Sequence, residues 1–274
     1  MFNRVLQSTK FKRYNRRFKI FWAKYCINNS SFLPENIDRI YHYHIRKSAG
    51  TSVNTAFWKL AGHELDSVGR EPIMIGKGKS FVVNSNILIN EGNYFFASSH
   101  FPQWELKLPK NTFTFTVLRD PYERLVSLYK YYKWVEQVTD EEEAFRLDPS
   151  YFVLKQQHYL LHKSFSEFLD VIGNKYLYGN LYMFSKNINP SEGIKNLENL
   201  NKVYFQDNLK FAIEDLSETL MLKDLKLTKP QRKFENSNFV ISEAEKQKAL
   251  QLLQPEIEFY NLAREKFLIP NRNA

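Results

Sequence analysis

Residues 112–118 (TFTFTVL) alternate threonine with bulky apolar residues and stop at Arg119-Asp120-Pro121. Such alternation of β-branched and aromatic side chains is the pattern of a strand. Pro121 suits the first turn of a helix, where its missing N–H costs nothing, and Asp120 suits the cap before it. The helix so predicted runs to about Gln137. A strand feeding directly into a helix constrains the fold strongly, because repeated strand–loop–helix units build a parallel sheet with helices on both faces. Ligands then bind at the carboxyl ends of the strands.

The rest of the chain supplies more such units. Arg39–Ile45 (RIYHYHI) reads as a strand, followed by a short polar loop, Arg46–Gly50, and a helix over Ser52–Leu60 that Gly62 can end. Residues 63–93 read as irregular, with Gly69, Pro72, Gly76 and Gly78 as turn markers. Tyr94–Ala97 reads as a short strand closing on Ser98-Ser99-His100-Phe101-Pro102. Helices are expected over 151–162, 164–172 (with a Ser164/Glu167 capping box), 190–200, near 209–223 and over 242–268, with a strand at Val203–Gln206. The expectation is an N-terminal arm, 1–33, and one α/β domain, 34–274, since 274 residues suit a single domain of this class.

Charge separates the arm from the body. The formal net charge is +9, yet eight of the 39 Lys and Arg lie in residues 1–24, which hold no acid. The remainder nearly balances the 30 Asp and Glu. A nucleic-acid binder carries its charge on the folded body, so that class is disfavoured. In the arm, Phe11, Tyr14, Phe18, Trp22 and Tyr25 recur every three or four residues among basic side chains, as in a basic amphipathic helix. Such a helix can dock on the domain or lie on an anionic membrane surface through residues 1–24. The single cysteine, Cys26, excludes an internal disulfide and a cysteine-built metal site. With no apolar run near the 20 or so residues that span a bilayer, the expected location is cytoplasmic, with peripheral membrane contact through the arm as the variant.

Two segments carry chemistry. In His44-Ile45-Arg46-Lys47-Ser48-Ala49-Gly50-Thr51-Ser52 a strand turns through a loop into a helix. The unpaired N–H groups and dipole of a helix start bind oxyanions, Gly50 permits close approach, Thr51 and Ser52 add hydroxyls and Lys47 adds a charge. The lysine precedes the glycine, so this is not a Walker A loop, and an ordinary helix cap would look similar. Thr116 to Ser127 sets Arg119 at a strand's carboxyl end and Ser127 on the following helix. A guanidinium fork suits a phosphate dianion. The bland alternative pairs Arg119 with an acid and Arg124 with Glu123.

Together these segments resemble the PAPS-dependent sulfotransferases (PAPS is 3′-phosphoadenosine 5′-phosphosulfate), in particular their carbohydrate-sulfotransferase branch. The Arg-Asp-Pro-x-x-Arg-x-x-Ser motif is matched without a gap from Arg119 to Ser127. The first motif departs at Ser48-Ala49, where Thr-Gly is usual, and alanine resists positive φ. Ser99-His100-Phe101-Pro102 is similar to the family's Gly-His-Phe-Pro turn, and likeness continues through Val203–Leu222 and Pro255–Ala263.

The resemblance implies a P-loop-like three-layer fold and transfer of a sulfuryl group from PAPS to a hydroxyl or amine of a sugar or small-molecule acceptor, without a metal. It further implies that Lys47, Ser48, Ala49, Gly50, Thr51 and Ser52 hold the 5′-phosphosulfate, with Lys47 facing the leaving oxygen. Arg119 and Ser127 would hold the 3′-phosphate, and His100 would be the acceptor's base. Of the other histidines, His42 and His44 read as structural strand residues, His63 has no assigned role, and His158 and His162 read as one helix face lacking a third metal ligand. The competing classes are a P-loop-like kinase and a non-catalytic membrane-surface adaptor.

Overall fold

The computed structural model describes residues 31–62, 73–140, 157–227 and 239–268, together with 17, 18, 20, 21, 25, 142 and 144. In chain order the elements are β1 (Arg39–Tyr43), α1 (Gly50–Lys59), β2 (Ile73–Gly76), β3 (Lys79–Val83), α2 (Asn86–Glu91), β4 (Phe96–Ser99), β5 (Thr112–Leu118) and α3 (Pro121–Gln137). They continue as α4 (Phe165–Val171), α5 (Asn174–Leu177), α6 (Gly179–Phe184), α7 (Pro190–Leu197), β6 (Lys202–Phe205), α8 (Leu209–Thr219), α9 (Glu243–Leu252) and α10 (Gln254–Phe267). Short 3₁₀ turns lie at Gln103–Glu105, His158–Leu160 and Gln206–Asn208.

Six strands form one sheet in the order β2-β3-β4-β1-β5-β6. Every neighbouring pair is parallel except the β2–β3 hairpin at one edge. The alternation seen in the sequence sorts side chains to two faces. Ile40, Phe113, Phe115 and Val117 pack under α1 and α8, against Val53, Phe57, Ile213 and Leu216. Tyr41, Tyr43 and Ala97 lie on the other face with Leu181, Phe184, Leu197 and Phe259 from α6, α7 and α10. A third cluster joins α3 to α4 and α9 through Leu128, Tyr132, Phe168 and Ala249. The result is the expected three-layer α/β architecture.

Several expected elements shift. Residues 73–91 are ordered secondary structure: β2 and β3 meet through Lys77-Gly78, both at positive φ (47° and 74°), with Gly76 opposite Lys79. Two such residues in a two-residue loop match the twist of the flanking strands, which makes Gly78 a hairpin residue. Residues 63–72 lie outside the described set, as do 151–156 of the helix expected over 151–162. There the described part is only the turn His158–Leu160, and His162, at φ 58°, falls outside it, so the two histidines do not share a helix face. The helix expected over 242–268 is two, α9 and α10, divided at Leu253 with Pro255 in the first turn of the second. The strand read at Tyr94–Ala97 is β4, two residues later, which brings His100 directly to its end.

The helix α3 begins as predicted: the Asp120 side chain accepts from the Glu123 N–H and Pro121 opens the first turn. Arg124, four residues in, is wholly buried and pairs with Glu256 of α10 at 3.0 Å, both side chains at 0% exposure. It also donates to the Tyr176 and Leu177 carbonyls at 3.0 and 2.5 Å, at the end of α5. Of the bland alternative, the Arg124–Glu123 pair is therefore absent, whereas its other half is present, since Arg119 pairs with Glu123 at 3.4 Å. Asn180 completes the cluster. Its amide donates to Glu256 at 2.7 Å and to the Arg119 carbonyl at 2.9 Å. Gly179 is required beside it, since a Cβ there would stand 2.6 Å from an Arg124 nitrogen.

Removing one member of a buried pair strands the other charge, at a cost of about 3–5 kcal/mol. Glu256→Ala is expected to lose stability on that scale, seen as a lower denaturation midpoint. A stability within about 1 kcal/mol of wild type would show that the pair does not hold the α3 turn.

Candidate active site at the carboxyl edge of the sheet

The strands β1, β4 and β5 end side by side, with Tyr43 opposite Ser99 and Thr116. Past these ends lie the Lys47 loop, His100 and Arg119. The His44 N–H donates to the Ser99 carbonyl at 3.0 Å, extending the ladder by one residue beyond β1.

The loop after β1 turns through two left-handed residues, Lys47 (φ 67°) and Ala49 (φ 60°). The positive φ that alanine resists is adopted here, at an intrinsic cost of about 1–2 kcal/mol for a non-glycine residue. Its effect is to start α1 abruptly: Ala49 is the cap residue, and its carbonyl already accepts from Ser52 and Val53. No side chain caps this end, and the Gly50 and Thr51 N–H groups have no partner among the described residues. Gly50 is dictated by the close approach of His44, since a Cβ would fall 1.9 Å from its ring.

Ser48 is buried with an unpartnered Oγ, and the Nε atoms of Arg46 and Arg119 are likewise enclosed without a partner. Unpaired buried polar atoms are costly, and these three sit on one loop and on the arginine bonded to it. Arg119 donates from Nη1 to the Lys47 carbonyl at 3.1 Å. The two motifs, 72 residues apart, are thus in direct contact. Lys47 Nζ lies 4.7 Å from the centre of the Tyr131 ring on α3. Thr51 and Ser52 are half-buried in the first turn of α1, and Ser127 is half-buried on α3.

The histidines form a chain of rings. His42 stacks on Phe115 (4.6 Å, 1°) and lies 5.4 Å from His44, whose ring is 4.4 Å from that of His100. Asn54 of α1 bridges them, at 2.9 Å from His42 Nδ1, 3.3 Å from His44 Nδ1 and 3.0 Å from Ser98 Oγ. Burial lowers the His42 pKa to about 4, so it stays neutral. His44, expected as a strand residue, lies beyond β1 and belongs to the rim.

His100 Nδ1 is 2.6 Å from the His44 carbonyl. A carbonyl can only accept, so Nδ1 carries the hydrogen and Nε2 keeps its lone pair. Burial, with the Arg46 charge second, holds the ring well below an ordinary histidine pKa. The Asn84 side chain fixes the His100 N–H at 3.2 Å. A neutral imidazole with its free nitrogen set by the backbone can act as a proton acceptor. Among the described residues no group of three or more His, Cys, Asp or Glu is placed to hold a metal ion.

Sequence reasoning missed Asn54, Asn180 and the pairing of Glu256. Glu256 carried a signal: it occupies the apolar stripe continued by Phe259, Tyr260 and Ala263 on α10, a core position for a charged residue.

Among known proteins, no curated sequence matches the chain. Of solved structures, mouse sulfotransferase SULT7A1 complexed with PAP is similar over 87% of this chain and 88% of its own, at 12% identity and a TM-score of 0.36. The model of the sulfotransferase family matches residues 31–177, which is more than half of the chain and spans the Lys47 loop, His100 and the Arg119–Ser127 motif. The chain belongs to the sulfotransferase family.

Proposed function

We propose that PAPS is the sulfuryl donor of this sulfotransferase, that the Lys47 loop and Arg119 hold its two phosphate ends, and that His100 takes the acceptor's proton. The observation that carries this reading is the set of enclosed, partnerless donors, Ser48 Oγ and Arg119 Nε, beside the open Gly50 and Thr51 N–H groups. Such donors suit phosphate oxygens. Ser48 to Ser52 would hold the 5′ end, and Arg119 with Ser127 the 3′-phosphate.

When bound, PAPS supplies an activated sulfuryl group whose bridging oxygen departs with the nucleotide. The chain's own task is positioning and charge stabilisation. As the acceptor oxygen or nitrogen bonds to sulfur, the sulfur–oxygen bond to the nucleotide breaks and the acceptor's proton passes to His100 Nε2. The His44 carbonyl, already bonded to Nδ1–H, steadies the resulting imidazolium. Lys47 offsets the charge left on the departing phosphate. The acceptor is a hydroxyl or amine of a sugar or small molecule.

The arm has a separate role. Phe18, Phe21 and Tyr25 are 66%, 55% and 70% exposed and follow one helix face, with Phe21 and Tyr25 in ring contact at 5.2 Å. Ile20 instead packs against the body. Exposed aromatics beside a basic segment suit the surface of an anionic membrane. Among the described residues no helix is long and apolar enough to cross one.

Arg119→Ala is expected to weaken adenosine 3′,5′-bisphosphate binding by about 1.5–3 kcal/mol, the range for a hydrogen bond to a charged group, as read by calorimetry. Unchanged affinity would remove the 3′-phosphate assignment.

His100→Ala should cut turnover by about 10²- to 10⁴-fold with donor affinity nearly intact. Because burial depresses its pKa, His100 is already deprotonated at neutral pH. The wild-type rate should therefore stay level as pH falls from about 8 to 6.5 and decline only below. A rate-limiting ionisation above 6.5 that vanishes in the variant would contradict the environment described for this ring.

For the arm, Phe18→Ser with Phe21→Ser should reduce binding to phosphatidylserine vesicles about tenfold or more, since each buried phenylalanine contributes about 1.5–3 kcal/mol. Equal sedimentation of both proteins with vesicles would exclude these side chains from the contact.

A further inference from the structure

At the edge of the sheet opposite the rim, four lysines surround one pocket. Lys79 opens β3, which runs parallel to β4 and so to β1, and therefore lies at the amino ends of the strands beside the Lys77-Gly78 turn. Lys59 ends α1, which returns from the carboxyl edge, and Lys223 follows α8, which returns in the same way after β6. With Phe32 and Met221 they line a concavity of about 450 Å³, in which Asp224 is the single acid. The length of α1, ten residues or about 15 Å, separates it from the Lys47 loop.

The charges in this pocket are not balanced within the protein. Lys59, in the last turn of α1, complements the helix dipole there. Lys77, Lys79 and Lys223 form no ion pair among the described residues. Lys79 Nζ lies 3.8 Å from the centre of the Phe32 ring, and that ring also packs on the turn, since a Cβ at Gly78 would stand 3.1 Å from it. Partial burial, with the Lys77 charge second, lowers the Lys79 pKa. Like charges gathered without counter-charges repel, and an anion seated among them removes that repulsion. Met221 is the apolar member. It takes the left-handed position after α8 (φ 55°), where its N–H donates to the Glu218 carbonyl at 3.1 Å and the Leu222 N–H to the Ser217 carbonyl at 2.8 Å. Glycine is usual at such a helix end, yet here a methionine stands 73% exposed beside the lysines.

We propose that this pocket receives the phosphate headgroup of an anionic phospholipid, with Met221 entering the interface, so that the amino edge of the sheet docks on the membrane and the rim at the carboxyl edge stays open to solution. Cations that meet phosphates beside an apolar group that enters the interface are the composition of such a contact. The arm adds continuity. Ser31, also on the pocket wall, follows the exposed Tyr25 by six residues, which span at most about 22 Å, so one surface can hold both. The inference rests on the same reading as the arm, that the protein meets an anionic bilayer, but on different residues.

Cosedimentation of the full chain with phosphatidylcholine vesicles, with and without phosphatidylserine, tests the pocket. Wild type is expected to prefer the vesicles that contain phosphatidylserine. Lys77→Ala with Lys223→Ala should bind them about thirtyfold more weakly, about fivefold for each lysine at an anionic surface. Met221→Gly removes the apolar contact but relieves the left-handed backbone, so it should bind about fivefold more weakly while unfolding at or above the wild-type midpoint. The double-lysine variant, relieved of like-charge repulsion, should also unfold no lower than wild type. Equal vesicle binding by wild type and the double-lysine variant would overturn the pocket, whatever Phe18→Ser with Phe21→Ser does. If, in addition, inorganic pyrophosphate bound wild type more tightly than the double-lysine variant by calorimetry, the pocket would be a site for a soluble anion instead. A wild-type protein indifferent to phosphatidylserine would remove the membrane reading of arm and pocket together.

Discussion

The buried contact between Arg124 and Glu256 ties helix α3 to the last helix, α10, through the interior. Both side chains are fully enclosed, and their bond spans 132 residues. Around it, Arg124 closes the end of α5, Gly179 makes room for the guanidinium, and Asn180 passes the connection on to the Arg119 backbone. The turn between β5 and α3 is therefore fixed from beneath by the last helix. Isolated charges inside a protein are destabilising, so each member of this cluster is tolerable only while the others are in place. The two arginines of this motif, Arg119 and Arg124, have opposite surroundings. Arg119 keeps an unsatisfied valence at the rim, while Arg124 has each of its three nitrogens engaged in the interior.

Rim and interior differ in the same way elsewhere. The Lys47 loop accepts two left-handed residues, an uncapped helix start and a buried hydroxyl without a partner, all of which cost stability. The layers behind it are conventional: apolar alternation on the strands, amphipathic helices on both faces, capping boxes at Ser164 and Ser242. Local irregularity is thus concentrated where an anion would relieve it.

Much of this was legible because the informative signals were local. Strand β5 and helix α3 fall where alternation, Pro121 and Asp120 put them, since those features act within a turn of the chain. The two motifs proposed to hold phosphate stand out by their residue types, and the Arg119 bond to the Lys47 carbonyl brings them into contact. The β2–β3 hairpin escaped because its strands have four and five residues and its turn glycine looks like any loop glycine. Helices α5 and α6, of four and six residues, are too short for a periodic pattern to emerge. The partners of Arg124 escaped for a different reason. Nothing near residue 124 in sequence indicates that its counter-charge lies on the final helix, and the adjacent Glu123 is the misleading local choice.

One residue joins the two halves of the rim. The ring of His44 occupies the space that a side chain at Gly50 would fill, and its carbonyl receives the Nδ1 hydrogen of His100. The helix start proposed to meet the nucleotide and the imidazole proposed to meet the acceptor are thus both in contact with a single residue just past the end of β1. The gap across which the sulfuryl group must travel is set like the jaw of a calliper, by one rigid part touching both arms.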